Sequence, residues 1–322
     1  MVIDVFCHII PPRYSTTLEK MATTGKIPPF DNLFLREIQI PGMVDVEARF
    51  RLMDNHPEVR EVISVTGPFL ENVAKPNDAI DLARLVNDEV AELIAKYPDR
   101  FIAGVAFLPY NDIEATLREI DRAIKELKLR GIEIGTDVNG KPLDSPEFSP
   151  IYKKMEQYNL PVFLHPSKNR LYPDYPEETE SKYNLFTNIC WPHATSMAML
   201  RLVHSGVLEK HPKLKFITHH AGGTVPYLAK RIEGSDQHKL PKPILDYLRL
   251  FYTDTAVQGN TPNLMCARAF FGADHLLFGT DFPFGNQNVM KTLRSIEEMD
   301  TPSAEKKGVL EDNARSLLHL TI

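Results

Sequence analysis

Ile3-Asp4-Val5-Phe6-Cys7-His8, followed by Ile9-Ile10-Pro11-Pro12, reads as a short buried strand that begins almost at the first residue. Alternate side chains of a strand share a face, which puts Asp4, Phe6 and His8 on one side and Val5 and Cys7 on the other. An acid, an aromatic ring and an imidazole at the end of an early strand are an odd choice for packing alone, so His8 is a candidate site residue. The same pattern recurs downstream. Leu160-Pro161-Val162-Phe163-Leu164-His165 and Leu214-Lys215-Phe216-Ile217-Thr218-His219-His220 are apolar runs ending in histidine, and 275–280 runs into Asp281. Further strand-like runs lie at 61–66, 101–108, 131–135 and 250–255. Helical periodicity separates them at 44–55, 77–96, 112–127 (with Asp112 as N-cap), 146–158, 195–209, 223–234 and 262–271. Two more helices, at 286–299 and 303–318, close the chain.

Eight strands, each followed by a helix and with no break in composition, are the pattern of an α/β (β/α)8 TIM barrel. The reading is a single domain over 1–322, with an extra C-terminal helix and long connections after strands 1 and 5, at 9–44 and 166–194. Connections of that length inside a compact fold are usually lids or binding loops. An open doubly wound sheet is the runner-up, but no glycine-rich phosphate turn follows the first strand.

Composition narrows the function classes. At 43% hydrophobic and 25% charged, this is the balance of a soluble globular protein. A formal net charge of −6 argues against nucleic acid or an anionic membrane as partner. The three cysteines, Cys7, Cys190 and Cys266, form no CxxC pair, so neither a disulfide framework nor a thiolate zinc site is indicated. There is no basic leader, and no apolar run near the ~20 residues that span a bilayer. A cytoplasmic protein acting on a small molecule is expected.

Active sites of such barrels lie at the C-terminal ends of the strands. Those ends hold His8, His165, His219-His220 and Asp281. Histidine and aspartate are suitable ligands for a divalent ion such as zinc, and here they arrive from strands 1, 5 and 8. A lone strand-end histidine is more often a buried polar group bonded to backbone. That explains each residue singly, but not their shared position.

The motifs Ile3-Asp4-x-x-x-His8 with Pro11, Leu164-His165-Pro166, Thr218-His219-His220-Ala221-Gly222-Gly223 and Phe278-Gly279-Thr280-Asp281-Phe282-Pro283 occur in order over nearly the whole chain. In them the sequence resembles the amidohydrolase superfamily. More narrowly it resembles the branch of 2-amino-3-carboxymuconate-6-semialdehyde decarboxylase and the dihydroxybenzoate (resorcylate) decarboxylases. The resemblance implies one catalytic metal, zinc or manganese. It also implies a carboxy-lyase that decarboxylates an aromatic or unsaturated, ring-cleavage-type acid without oxidation. A metal-dependent hydrolase of a lactone or amide, or a hydratase, is the second reading.

Carried over by position, His165 and Asp281 match metal ligands of strands 5 and 8. Asp281 also serves as a proton acceptor in the hydrolytic reading. His220 matches the acid/base histidine, and His8 the second member of a His-x-His pair. The first member of that pair falls on Phe6, which cannot coordinate a metal. His8, His165 and Asp281 remain, and three protein ligands plus water suffice for a catalytic zinc; a metal-free site is the alternative. His219, next to His220, is expected to face the other side of its strand.

Arg231 and Arg36 match carboxylate-binding arginines, for which a planar guanidinium is suited. Arg231 would reach a neighbouring subunit's site, which implies a homodimer or larger homo-oligomer. Trp191, Phe186 and Tyr183 are expected to wall a flat substrate, with Phe6 among the groups beside it. Asp4 is expected to be structural, Arg49 and Arg51 to be solvated or salt-bridged on the first helix, and Glu133 and Asp137 to lie near the site without an assigned role.

Overall fold

Among its described residues the computed structural model contains eight parallel barrel strands: β1 Val2–Ile9, β2 Val59–Val65, β3 Phe101–Gly104, β4 Ile132–Gly135, β5 Val162–His165, β6 Phe216–Thr218, β7 Tyr252–Asp254 and β8 Leu276–Leu277. It describes residues 1–29, 32–65, 67–168, 170–235, 240–285 and 288–321; the expected strand end at Thr66 and helix start at 286 lie outside these. Two ladders form, β1-β2-β3 and β8-β7-β6-β5-β4. Two seams join them into a closed barrel. At one, Cys7 bridges Phe282, with Val5 N donating to Phe278 O (2.9 Å) and Asp281 N to Phe6 O (2.8 Å). At the other, Ala106 bridges Ile132, and Glu133 N donates to Ala106 O at 2.9 Å. The fold is the expected TIM barrel.

Strands covered by helices on the outside read as almost continuous apolar runs, and β1 is buried along its whole length. A bulge between Asp4 and Cys7 interrupts its register with β2. Ile3, Phe6, Phe163, Ile217 and Leu277 form one apolar cluster, onto which Leu317 of the last helix also packs. The larger cluster fills the space between strands and outer helices. Asp112 caps the helix Ile113–Lys125 as expected, its Oδ1 accepting from Ala115 N at 2.8 Å.

The connection after β1 is not an irregular loop. It holds the helices Pro12–Thr23 and Asn32–Glu37. Pro12 starts a helix rather than breaking one, because the first helical N–H has no intrahelical partner to lose. The helix expected over 195–209 begins earlier, at Trp191, ends at His204, and resumes as Val207–Lys210 after Gly206, whose φ of +77° suits glycine. The stretch expected as one closing helix, 303–318, is broken by a π turn at Gly308–Asp312. A short hairpin, Asp137–Val138 with Lys141–Pro142, follows β4. Among the described residues no helix is long and apolar enough to cross a membrane.

Arg49 is salt-bridged, one of the two states expected of it, but it is fully buried rather than on a solvated helix face. Its Nε donates to Glu61 Oε2 at 2.7 Å, and its Nη1 donates to both His8 O (2.7 Å) and Gly42 O (3.0 Å). Its guanidinium lies 4.8 Å from the Phe282 ring centre. Arg49→Met leaves Glu61 charged and unpaired in the interior, and the expected loss is ~3–5 kcal/mol in denaturant unfolding. Adding Glu61→Leu should recover part of it.

Glu71 is buried with both carboxylate oxygens lacking hydrogen-bond partners, and burial pushes it up to about 8. Unfolded, it ionises near its ordinary 4.5. Between those values the unfolded chain has released a proton that the folded chain keeps, so this group's contribution to stability falls as pH rises. Glu71→Gln removes that slope. Thermal unfolding at about pH 5 and about pH 8 should show the variant gaining on the wild type at the higher pH.

Candidate metal and substrate site

The site is assembled at the seam where β1 meets the segment after β8. Asp4 Oδ1 accepts from Thr280 N (3.1 Å) and Phe6 N (3.2 Å), and its other oxygen bonds the Thr280 hydroxyl. Asp4 is therefore structural: it fixes the Gly279-Thr280-Asp281 turn against β1. Gly279 permits the approach. A Cβ there would stand 2.8 Å from Asp254 Cβ and 3.0 Å from Phe6 Cβ. Asp281 leaves the turn with φ +63°, in the left-handed region that non-glycine residues rarely adopt.

Four ring side chains meet beside Asp281. His8 comes from β1, His165 from β5, and His219 and His220 follow β6. Ligand atoms of His8, His165 and His219 all lie within 4.8 Å of one another, as do those of His219, His220 and Asp281. Asp281 Oδ1 is 3.2 Å from His8 Nε2 and 3.4 Å from His219 Nε2. In the first three histidines Nδ1 already has a protein partner. It lies 3.1 Å from Ser64 Oγ in His8 and 2.8 Å from Pro166 O in His165, and it bonds Asp254 Oδ2 in His219. Each Nε2 is thereby left for the interior. His8 Nε2 is buried with no hydrogen-bond partner despite its nearness to Asp281. An orphaned buried nitrogen beside two more imidazoles and a carboxylate fits a divalent metal.

Electrostatics divides the group. Burial lowers the proton affinity of His8, and of His165 further, His165 also feeling His8 and His219. Burial opposes charge on His219 too, but Asp254 and then Asp281 outweigh it and push His219 up to about 10. His220 is lowered to about 4 by burial and by the charge of His219. Asp281 is half-buried, which would raise it, yet the His219 and His8 imidazoles hold it well below the usual carboxylate range.

Two expectations need correction. His219 does not face away: its ring lies 5.2 Å from that of His165 and stacks on Phe6 at 4.1 Å and 12°. The strand ends at Thr218 and His220 turns to φ +57°, so strict alternation no longer governs the pair. Phe6 offers no face to a substrate, being 0% exposed and packed between Phe163 and His219. Trp191 does stand at the site, stacked on His220 at 6.1 Å and 18°, with its Nε1 donating to Lys168 O at 2.6 Å. Phe186 packs against Trp191 at 5.9 Å, whereas Tyr183 is 88% exposed. Arg36 and Arg231 are exposed side chains on the helices Asn32–Glu37 and Val225–Ser235, outside the buried group.

Two residues that the sequence did not single out also belong to the site: Ser64 and Asp254. Ser64 and Asp254 hold imidazoles, and each stands at or next to a strand end, which was the available signal. Glu133 on β4 is buried with both oxygens lacking hydrogen-bond partners, and burial pushes it up to about 8. Asp137, by contrast, is committed to its hairpin, accepting from Gly140 N at 2.8 Å and Ser167 Oγ at 2.9 Å.

Histidines and an aspartate at the strand ends of a barrel are donors suited to a divalent metal, and comparison with known proteins places the chain further. The amidohydrolase family profile matches residues 3–320, and the chain belongs to that family. It is 30% identical over 342 residues to 2-amino-3-carboxymuconate-6-semialdehyde decarboxylase of Dictyostelium discoideum, covering 99% of this chain and 91% of that one. It is 31% identical over 327 residues to the gamma-resorcylate decarboxylase of Polaromonas sp. strain JS666, covering 96% and 97%. The crystal structure of the dihydroxybenzoic acid decarboxylase of Polaromonas sp. JS666, with bound manganese and the inhibitor 2-nitroresorcinol, superposes with a TM-score of 0.80 at 27% identity, covering 100% and 97%.

Because the atoms facing Gly279 are carbons tied to backbone, Gly279→Ala should cost about 1–3 kcal/mol of stability, read as a lowered thermal midpoint.

Proposed function

We propose that this chain is a metal-dependent, non-oxidative decarboxylase of an aromatic or unsaturated, ring-cleavage-type carboxylic acid, built as a single domain over residues 1–322. The observation that carries the reading is that His8, at one end of the barrel, clusters with His165 and lies 3.2 Å from Asp281, its Nε2 without a hydrogen-bond partner, in a chain whose relatives are named as decarboxylases. These three residues would hold one divalent ion. Imidazole and carboxylate donors suit zinc, and manganese is the ion in the related structure. When bound, the metal supplies Lewis-acid polarisation of a hydroxyl or carbonyl ortho to the carboxylate.

The chain's own groups account for the remaining chemistry. Trp191 presents a flat ring beside His220, suited to a planar substrate. His220 has a buried Nδ1 without a hydrogen-bond partner, and so is free to carry a proton. A substrate carboxylate next to it adds the negative charge that favours protonation, against burial and the His219 charge that otherwise lower it. His220 then delivers the proton to the ring carbon that bears the carboxylate. The carbon–carbon bond breaks, its electron pair returns to the ring, and carbon dioxide leaves, so that one proton replaces one carboxyl group. The low-dielectric surroundings strengthen each of these contacts.

Arg231 and Arg36 are assigned to the carboxylate side. Arg231 shares its exposed helix with Tyr227, which is 83% exposed; an apolar ring beside a cation suits a contact between copies, and a homodimer or larger homo-oligomer follows. A cytoplasmic setting agrees with three free cysteines.

A panel of ortho-hydroxybenzoates and muconate semialdehydes, followed by carbon dioxide release, tests the reading. Release from at least one acid, lost with chelator and restored by zinc or manganese, is expected. Hydrolysis of a lactone with no release from any acid overturns it. His220→Ala should lower kcat by roughly 10²–10⁴-fold with KM little changed. Arg231→Ala should act chiefly on KM.

A further inference from the structure

We infer that His219 replaces the ligand lost at Phe6, so that the metal is held by His8, His165, His219 and Asp281. The inference rests on the metal-dependent reading above and adds to it a ligand from a different strand. Phe6 is the position where the family resemblance implies a coordinating histidine. Its ring instead lies flat against His219, 4.1 Å away at 12°. The apolar ring and the extra imidazole are thus in contact, one filling the space of a lost ligand and the other standing beside it with a donor.

The surroundings of His219 are those of a ligand rather than of a mobile proton carrier. Metal-binding histidines commonly give their second nitrogen to a carboxylate, carbonyl or similar group that fixes the ring. His219 does so through Asp254, which is fully buried and whose Oδ1 accepts from Ala221 N (3.2 Å) and Ala256 N (3.1 Å). The anchor is therefore itself anchored. His8 and His165 follow the same rule through Ser64 and Pro166. His219 Nε2 is left 3.4 Å from Asp281 Oδ1, the oxygen that also lies 3.2 Å from His8 Nε2. His220 lacks this support at Nδ1. The two adjacent histidines thus divide the roles, His219 holding the metal and His220 moving the proton, with Asp254 as a positioning residue.

Zinc and manganese binding to the full-length chain, by elemental analysis and titration calorimetry, tests the assignment. Cobalt(II) serves as a spectroscopic probe of the ligand set. His219→Ala should weaken metal binding by roughly 100-fold or more and shift the cobalt bands, whereas Asp254→Asn should cost the ~10–100-fold typical of losing an outer partner. Phe6→His added to His219→Ala returns a donor on β1 and should recover affinity, which separates ligand loss from misfolding. Wild-type affinity and an unchanged cobalt spectrum in His219→Ala overturn the assignment while leaving the decarboxylase reading in place. A wild-type chain that binds neither metal overturns both.

Discussion

The seam between β1 and the turn after β8 is the constraint on which the site depends. Asp4 and Thr280 stand 276 positions apart, and their hydrogen bonds join the first and last motifs of the chain. The β8 ladder is only two residues long, so regular pairing contributes little there. The closure relies on a few backbone bonds, one buried carboxyl group and a glycine with no side chain to obstruct them. Asp281 reaches His8 because of that closure. A site divided between the two ends of a chain exists only once the barrel has shut, which couples the chemistry to completion of the fold rather than to any local motif.

Within the shut barrel, burial sets opposite tendencies in neighbouring groups. His219 lies between two carboxylates, and until a metal takes its Nε2 their attraction exceeds the cost of burying a charge. His220 has the same neighbours at second hand and a charge beside it, so burial prevails and lowers its proton affinity. Two identical side chains, one residue apart, thus acquire different chemistry from which partners they touch. The left-handed backbone at His220 and Ala221 makes this possible by ending the strand's alternation between them. Such backbone costs free energy, and its concentration at the site is characteristic of functional positions.

Much of the barrel was legible in the sequence, because parallel strands covered on both sides leave continuous apolar runs and helices leave a 3.6-residue period. His8, His165 and Asp281 were legible because a shared position at strand ends is hard to explain by packing. What was not legible depends on contacts distant in sequence. The inward turn of His219 follows from where β6 stops, which no local pattern states. Arg49 reads as a solvated or salt-bridged residue of its helix, and no local pattern states that its partner is Glu61, 2.7 Å away on a different element and buried with it. Phe6 reads as a wall for substrate until the rings stacked around it are known.

Arg49 also distinguishes the two long connections. One guanidinium nitrogen bonds the carbonyl of His8 and that of Gly42, so the end of the segment after β1 is fastened to the residue that carries the first imidazole. Beyond Pro166, whose carbonyl holds His165, the segment after β5 meets the site through the ring of Trp191, on which Phe186 packs. Divergence among relatives therefore has unequal freedom. Sequence drift or insertion near Gly42 would disturb the metal position along with the pocket, while the stretch before Trp191 can change length and shape and leave the inorganic centre alone. New substrate preferences should accordingly arise by remodelling the second segment.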